Sequence, residues 1–536
     1  MPRSLILTLF FFAASELRSQ PFDLLLTNGH VVDGMGNPWF QADIGIRAGR
    51  IAAIGKLTGR PSNRTINLRG QTVAPGFIDM MGGSSLPLLL NPASANSKLR
   101  QGITTMFAGE GSSEAPRGDE PAVSGYRWRT FGEYFALLEK KGIALNVLHN
   151  VGAAQVRRLV IGDEDRAPTP AELDRMRQHV EQAMRDGAAG LSTALIYPPG
   201  TYARTEELVA MAEVAGRFGG IYSTHMRNES SKLLEAIAES MEIGVKAGVP
   251  VHVYHLKAAG QEHWPLMAKA VETIQRARDK GQDVTADIYP YIRNGLGLSA
   301  LVHPRHFAAG SRAFLPRLGD AALRSELRRE IETTSDWENW YRHVGSDWEN
   351  ILIAQAPDKS MEGKSLSEAA KLRGKDAWDL FFDLVQQGGV SVNPKSMNEE
   401  QKHLALRTPF VSFCTDASPT DIATATGAHP RAFGSFPRVL AHYVREGGII
   451  ALEEAIRKMT SLPANRLSLF DRGRIAPGMA ADLVVFDPAN IQDKASFTQP
   501  LAFPEGITHV IVNGQLAVES GRSTSAAAGR VLRHGR

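Results

Sequence analysis

The chain has 536 residues, 43% of them hydrophobic and 22% charged, and carries a formal net charge of +3. Such a chain can bury a large core and has room for two or three structural units, while a near-neutral balance excludes a field that would draw nucleic acid or an acidic membrane surface. Its single cysteine, Cys414, excludes an internal disulfide, which a domain of this size does not need.

The N-terminus (1–20) reads as a secretory signal. Arg3 gives a positive start, 5–14 an apolar run, and Ser15 or Ser19 a small residue near a cleavage point. About ten apolar residues are too few to span a bilayer. The expected location is the periplasm or exterior of a bacterium.

Beyond it the patterning is β. Residues 23–32 predict two strands around an Asn28-Gly29 turn, and 44–46 with 51–54 a hairpin across Ala48-Gly49. The C-terminus mirrors this at 481–486 and 509–518. Two β-rich ends around a different middle predict one small β-sandwich domain assembled from 21–72 and 466–536.

The middle, 73–465, alternates short apolar runs with helices. Residues 103–108, 190–193, 220–224, 249–254, 284–289 and 411–415 read as buried strands. Thr169, Pro170 and Glu172 form a capping box that opens a helix ending at Gly187, and 205–218, 230–247 and 265–280 are amphipathic helices. Strand–helix alternation on a repeat of about 30 residues predicts parallel βα units, and about eight of them make an α/β, (β/α)8 TIM-like barrel. Residues 295–407 break the rhythm. Too long for a structureless loop, they read as a helical insertion before the last barrel strand, marked by charge runs at 323–332 and by Trp337, Trp340 and Trp348.

In such a barrel, working side chains sit at the C-terminal ends of strands. His225 and His255 end consecutive predicted strands, so both project into one mouth, and Glu110 ends the second strand. Two imidazoles, a carboxylate and an open position describe a catalytic zinc site. Asp416 ends the last strand, where a carboxylate can take a proton from activated water and return it to a leaving amine. Blander readings stand beside these: strand-end histidines that only pack, a solvated Glu110, and Asp416 as a helix cap.

Longer strings narrow the choice. Residues 74–79 (APGFID) and 475–486 (IAPGMAADLVVF) resemble the metal-dependent amidohydrolase superfamily. Residues 190–202 (GLSTALIYPPGTY), 224–229 (THMRNE), 255–257 (HLK), 289–291 (YPY) and 429–438 (HPRAFGSFPR) resemble its D-aminoacylase (N-acyl-D-amino-acid deacylase) group. The resemblance covers nearly the whole chain. It implies zinc-dependent hydrolysis of an N-acyl-D-amino acid, a small-molecule substrate, with Glu110 in the place of a ligand that is commonly Cys. Where many relatives carry a His-x-His pair, this chain reads Met81-Gly82-Gly83, which implies one tightly held zinc ion. The fourth predicted strand ends without lysine, so a carbamylated-lysine bridge between two metals is not expected either. The resemblance also implies Tyr197 as an oxyanion donor and Lys257 and Tyr289 as holders of the substrate carboxylate. Against these stand a loop residue anchored on Pro198-Pro199, a solvated cation and a packing aromatic. The rival functions are a related amide or dipeptide hydrolase, a non-catalytic descendant that lost its His pair, and a chain whose zinc is only structural, which would normally need a fourth protein ligand. Retention of Asp416 counts against the second.

Overall fold

The structure, a computed structural model, describes residues 20–334 and 336–535; the expected signal segment lies outside them except for Gln20. Eight parallel strands form the centre: β1 Phe77–Asp79, β2 Ile103–Ala108, β3 Asn146–Gly152, β4 Gly190–Ala194, β5 Ile221–His225, β6 Val251–Val253, β7 Val284–Ile288 and β8 Val411–Phe413. They pair in sequence order, β1 to β8. The ends of the sheet approach each other through Met80 N–H to the Phe413 carbonyl (3.5 Å) and Thr415 N–H to Asp79 Oδ1 (2.8 Å), which leaves a nearly closed barrel.

Every residue of these strands is buried, as expected where helices cover a parallel sheet and turn alternation into continuous apolar runs. That rule also hides β3 from a hydrophobicity reading. Asn146, His149 and Asn150 interrupt its apolar run, and each is bonded inside: Asn146 to Asp482 (2.9 Å), His149 to Ser85 (3.0 Å) and Asn150 to the Tyr254 hydroxyl (2.9 Å). The connecting helices Pro170–Asp186, Thr205–Arg217, Leu233–Ala247 and Leu266–Asp279 match the expected ones closely. Thr169 and Glu172 form the reciprocal cap, and Gly187 closes that helix at φ 111°.

Both chain ends meet in a nine-stranded sheet, joined where Thr72–Pro75 pairs antiparallel with Leu483–Phe486. Leu26, Ile44, Val73, Leu483 and Ile511 share its apolar core. Ala48-Gly49 turns a hairpin with both φ positive, as expected. The Asn28-Gly29 turn is overturned: Leu24–Val31 is one strand, and both of its halves pair with Phe40–Arg47. Asn28 (φ 56°) opens a bulge instead, held by its N–H to Asp43 Oδ1 (2.9 Å) and its amide to Asn67 (3.1 Å).

The stretch between β7 and β8 is chiefly helical, with Ala321–Thr333 and Ala377–Gln387 among its helices. It also carries a three-stranded antiparallel sheet of Leu296–Gly297, Ser391–Pro394 and Ile351–Gln355. These strands are two to five residues long and mixed in polarity, so no alternation announces them. Trp337, Trp340, Trp348 and Trp378 build its core together with Ile196 and Ala259 from loops after β4 and β6. The insertion therefore sits on the barrel's C-terminal end. Among the described residues, no helix is long and apolar enough to cross a membrane.

Candidate metal centre and active site

The site is built by residues at which the chain leaves its strands. Glu110 stands between Gly109 (φ 97°) and Gly111 (φ 64°). A Cβ on the first would meet the Asn150 carbonyl at 2.8 Å and on the second Ala194 at 2.7 Å, so both must be glycine for Glu110 to reach inward. His225 closes β5. His255, two residues past β6, and Asp416, three past β8, adopt positive φ (35° and 47°), a conformation that non-glycine residues keep only when the surroundings hold them. For His255 the hold is its N–H to Asp287 Oδ1, at 2.6 Å.

His225 Nδ1 lies 2.9 Å and His255 Nε2 3.7 Å from the same oxygen, Glu110 Oε1. The two rings stand edge to face with centroids 4.3 Å apart. One ligating atom from each residue falls within 4.8 Å of the others, and two imidazole nitrogens with a carboxylate oxygen form a donor set suited to zinc. Behind them is a group that the sequence reading did not select. Glu229, fully buried, places Oε1 3.0 Å from His255 Nδ1 and Oε2 3.5 Å from His225 Nε2. A carboxylate that holds the far nitrogen of each imidazole sets ring orientation and tautomer. His225 Nε2 and Glu229 Oε2 have no hydrogen-bond partner at normal length. This is a pair poised to tighten.

The electrostatics fit a cation. Burial alone would raise the Glu110 carboxyl, but hydrogen bonds from His225 and His255 hold it well below the carboxylate range. Burial disfavours the charged form of His225, yet Glu229 and Glu110 push it up to about 9. A site that attracts protons onto its imidazoles is one where a metal ion can take their place.

Glu110, His225, His255, Tyr197, Lys257, Tyr289 and Asp416 all line one cavity of about 130 Å³, which Glu229, Arg431 and Trp340 share. Burial raises the Asp416 carboxyl, and Arg431, whose Nη1 is 2.5 Å from Oδ2, opposes that shift. Tyr197 packs edge-on to His225 (5.5 Å) and Tyr289 edge-on to His255 (6.3 Å), so Tyr197, His225, His255 and Tyr289 form a row. Burial, reinforced by Glu110, raises the Tyr197 hydroxyl and keeps it a neutral donor. Lys257 differs from a free carboxylate binder: its ammonium donates to Glu229 (2.6 Å) and to the His255 carbonyl (3.0 Å). Arg431, over the Tyr289 ring at 4.7 Å, is a second cation here and was not foreseen. Arg293, near the start of the insertion, is bonded to the Asn350 and Asn393 carbonyls and is not part of this cavity's wall.

Met81 and Gly83 stand at the place of the His pair. Met81 is buried with Ile78, Phe107 and Tyr254. A Cβ on Gly83 (φ 71°) would come within 2.6–3.0 Å of Ser418, so a side chain there needs the Ser418 loop to move. That loop is tied down by Ser84 N–H to Ser418 Oγ (3.0 Å), and Ser84 and Ser85 are tied to Glu114 (2.7 and 2.8 Å).

Residues 64–518 match the amidohydrolase family. The chain is 35% identical over 528 residues to the D-aminoacylase of Alcaligenes xylosoxydans xylosoxydans, covering 97% of this chain and 99% of that protein. A crystal structure of D-aminoacylase, described as defining a novel subset of amidohydrolases, superposes with a TM-score of 0.80 at 32% identity, over 96% of this chain and 100% of that one. N-acyl-D-glutamate deacylase from Bordetella bronchiseptica superposes with a TM-score of 0.79 at 31% identity, over the same shares. That structure holds zinc and a phosphonate inhibitor that mimics the tetrahedral intermediate.

Proposed function

This chain belongs to the amidohydrolase family, and from that premise we propose that it is a zinc-dependent hydrolase that cleaves the amide of N-acyl-D-amino acids to a carboxylate and a free D-amino acid. One observation carries the reading: Glu110, His225 and His255 converge on one point of a cavity whose wall includes Asp416. The D-configuration rests on the relatives alone.

Glu110, His225 and His255 would hold the zinc ion. When bound, it supplies Lewis acidity toward the amide carbonyl and toward water. Asp416 accepts the proton of the attacking water and delivers it to the leaving nitrogen, a role suited to a carboxyl that burial lifts above its ordinary value. The Tyr197 hydroxyl donates to the oxygen that gains charge, where one good donor is worth about 3 kcal/mol. Arg431 and Tyr289 receive the substrate's α-carboxylate beside His255. Lys257 neutralises Glu229 and so lets that carboxylate orient both imidazoles without leaving an unpaired buried charge.

The direct test is hydrolysis of paired D and L N-acetyl amino acids by the mature protein, with zinc and after chelation. Zinc-dependent release from the D series is expected. A zinc-loaded protein that releases nothing from either series would sink the substrate assignment.

A second result follows from Arg431. Its guanidinium favours the ionised form of Asp416, so removing it raises that group further. A base acts only when ionised, so the acidic limb of kcat/KM in Arg431→Met should move to higher pH. A limb that stays in place would separate Arg431 from Asp416 in function. As for location, residues 1–20 form an export signal in this reading, and the N-terminus of the mature protein would show its removal.

A further inference from the structure

Beside the reaction cavity lies a much larger one, about 1330 Å³, between the loops after β4 and β5 and the insertion. The two share only Tyr197 and Trp340 as wall. We propose that the large cavity receives the acyl chain of the substrate, and that the protein prefers linear alkanoyl groups of about six to ten carbons over acetyl. The inference rests on the deacylase reading and names the half of the substrate which that reading leaves open.

The row of four rings sets the direction. Tyr289, with Arg431 over its face, marks the end beside His255 where the amino-acid carboxylate is received. Tyr197 marks the opposite end, beside His225. With the carbonyl between the two histidines and the carboxylate at Tyr289, the acyl substituent points past Tyr197. That is where the large cavity begins. Part of its lining is apolar and continuous with this wall: Ile196, Val302 and Trp337 are buried, Phe307 is half-buried, and all four pack in one cluster with Trp340 and Tyr197. The charged lining is mostly exposed; the buried exception, Glu338, is engaged by the Glu229 N–H and by His343 Nε2 (2.8 Å). Arg204, Glu206, Lys232, Glu235 and Arg305 are exposed, and Arg227 is engaged by Glu239 at 2.9 Å. An apolar chain thus gains burial along the near wall and ends at a wet mouth. At about 1330 Å³ this cavity is above the usual range of small-molecule pockets, whereas the reaction cavity is only about 130 Å³. Tyr197 and Trp340 act together as a collar around the entry to the chain.

The test is kcat/KM for N-acetyl, N-hexanoyl, N-octanoyl and N-decanoyl derivatives of one D-amino acid, chosen from the acetyl series. It is paired with calorimetric binding of the acetyl and octanoyl compounds to Asp416→Asn, whose turnover is slowed by about a thousandfold. The octanoyl compound is expected to exceed acetyl by about tenfold or more in both readouts, well within what burial of six methylenes can supply. In Ala300→Trp, which fills the cavity beyond the collar, that ratio should fall toward one; Phe307→Ser should lower it as well. Equal acetyl and octanoyl values in the unaltered protein overturn the proposal, as does a ratio that both variants leave intact, or a gain that follows the length of the amino-acid side chain instead. Absence of turnover for every compound counts against the deacylase reading. The binding ratio then still decides the cavity's role.

Discussion

Asp416→Asn is expected to retain its metal and lose turnover by about a thousandfold. Asparagine keeps the size of the side chain and, like aspartate, tolerates a left-handed backbone, so the φ of 47° adds no new strain. Alanine at this position would confuse loss of chemistry with a strained backbone. The amide can still meet Arg431, but it cannot accept the proton of water. Metal content measured beside kcat separates the two roles. Near-normal turnover would remove Asp416 as the acid/base, and loss of metal would make it part of the metal-binding shell.

His225→Ala should remove most of the bound zinc. Its Nδ1 is the imidazole nitrogen nearest Glu110 Oε1. Without it, Glu110 and His255 leave only two protein ligands, fewer than the three of a typical catalytic zinc site. Glu229→Gln offers the graded control. It keeps volume but weakens the hold on both imidazoles, and the expected loss of zinc affinity is about 10- to 100-fold. A chelator competition that finds full zinc in His225→Ala would place the ion elsewhere. A Glu229→Gln protein with unchanged affinity would reduce Glu229 to a partner for Lys257.

Much of this was legible before any coordinates. The barrel showed itself through apolar runs and caps that recur one βα unit apart, and the same period put His225 and His255 in equivalent positions. The D-aminoacylase resemblance holds: the motifs that carried it lie in a chain 35% identical to such an enzyme over nearly its full length. What escaped did so for identifiable reasons. Glu229 is four residues after His225, on the turn that leads to the helix Leu233–Ala247, and was read only as the end of the string 224–229. A clue was its nearness to the histidine in sequence; its pairing with Lys257 depends on two adjacent loops folding back together. Arg431 comes from beyond the last strand, and its partner Asp416 was read as an acid/base or a helix cap, with no cation beside it. The Asn28 bulge was misread because the same dipeptide serves a turn or a bulge, and the partner strand chooses between them.

The sequence by itself determined the strand–helix alternation, the kinds of ligand available and the absence of the His-x-His pair, because burial period and residue chemistry are local properties of the chain. Only the tertiary structure decided which nitrogen of each histidine faces Glu110, that Glu229 stands behind both, that Ser418 crowds the backbone at Gly83, and that Trp340 from the insertion walls the cavity. Most of these contacts join groups far apart along the chain, and packing in three dimensions, which no periodicity records, sets them at ångström distances.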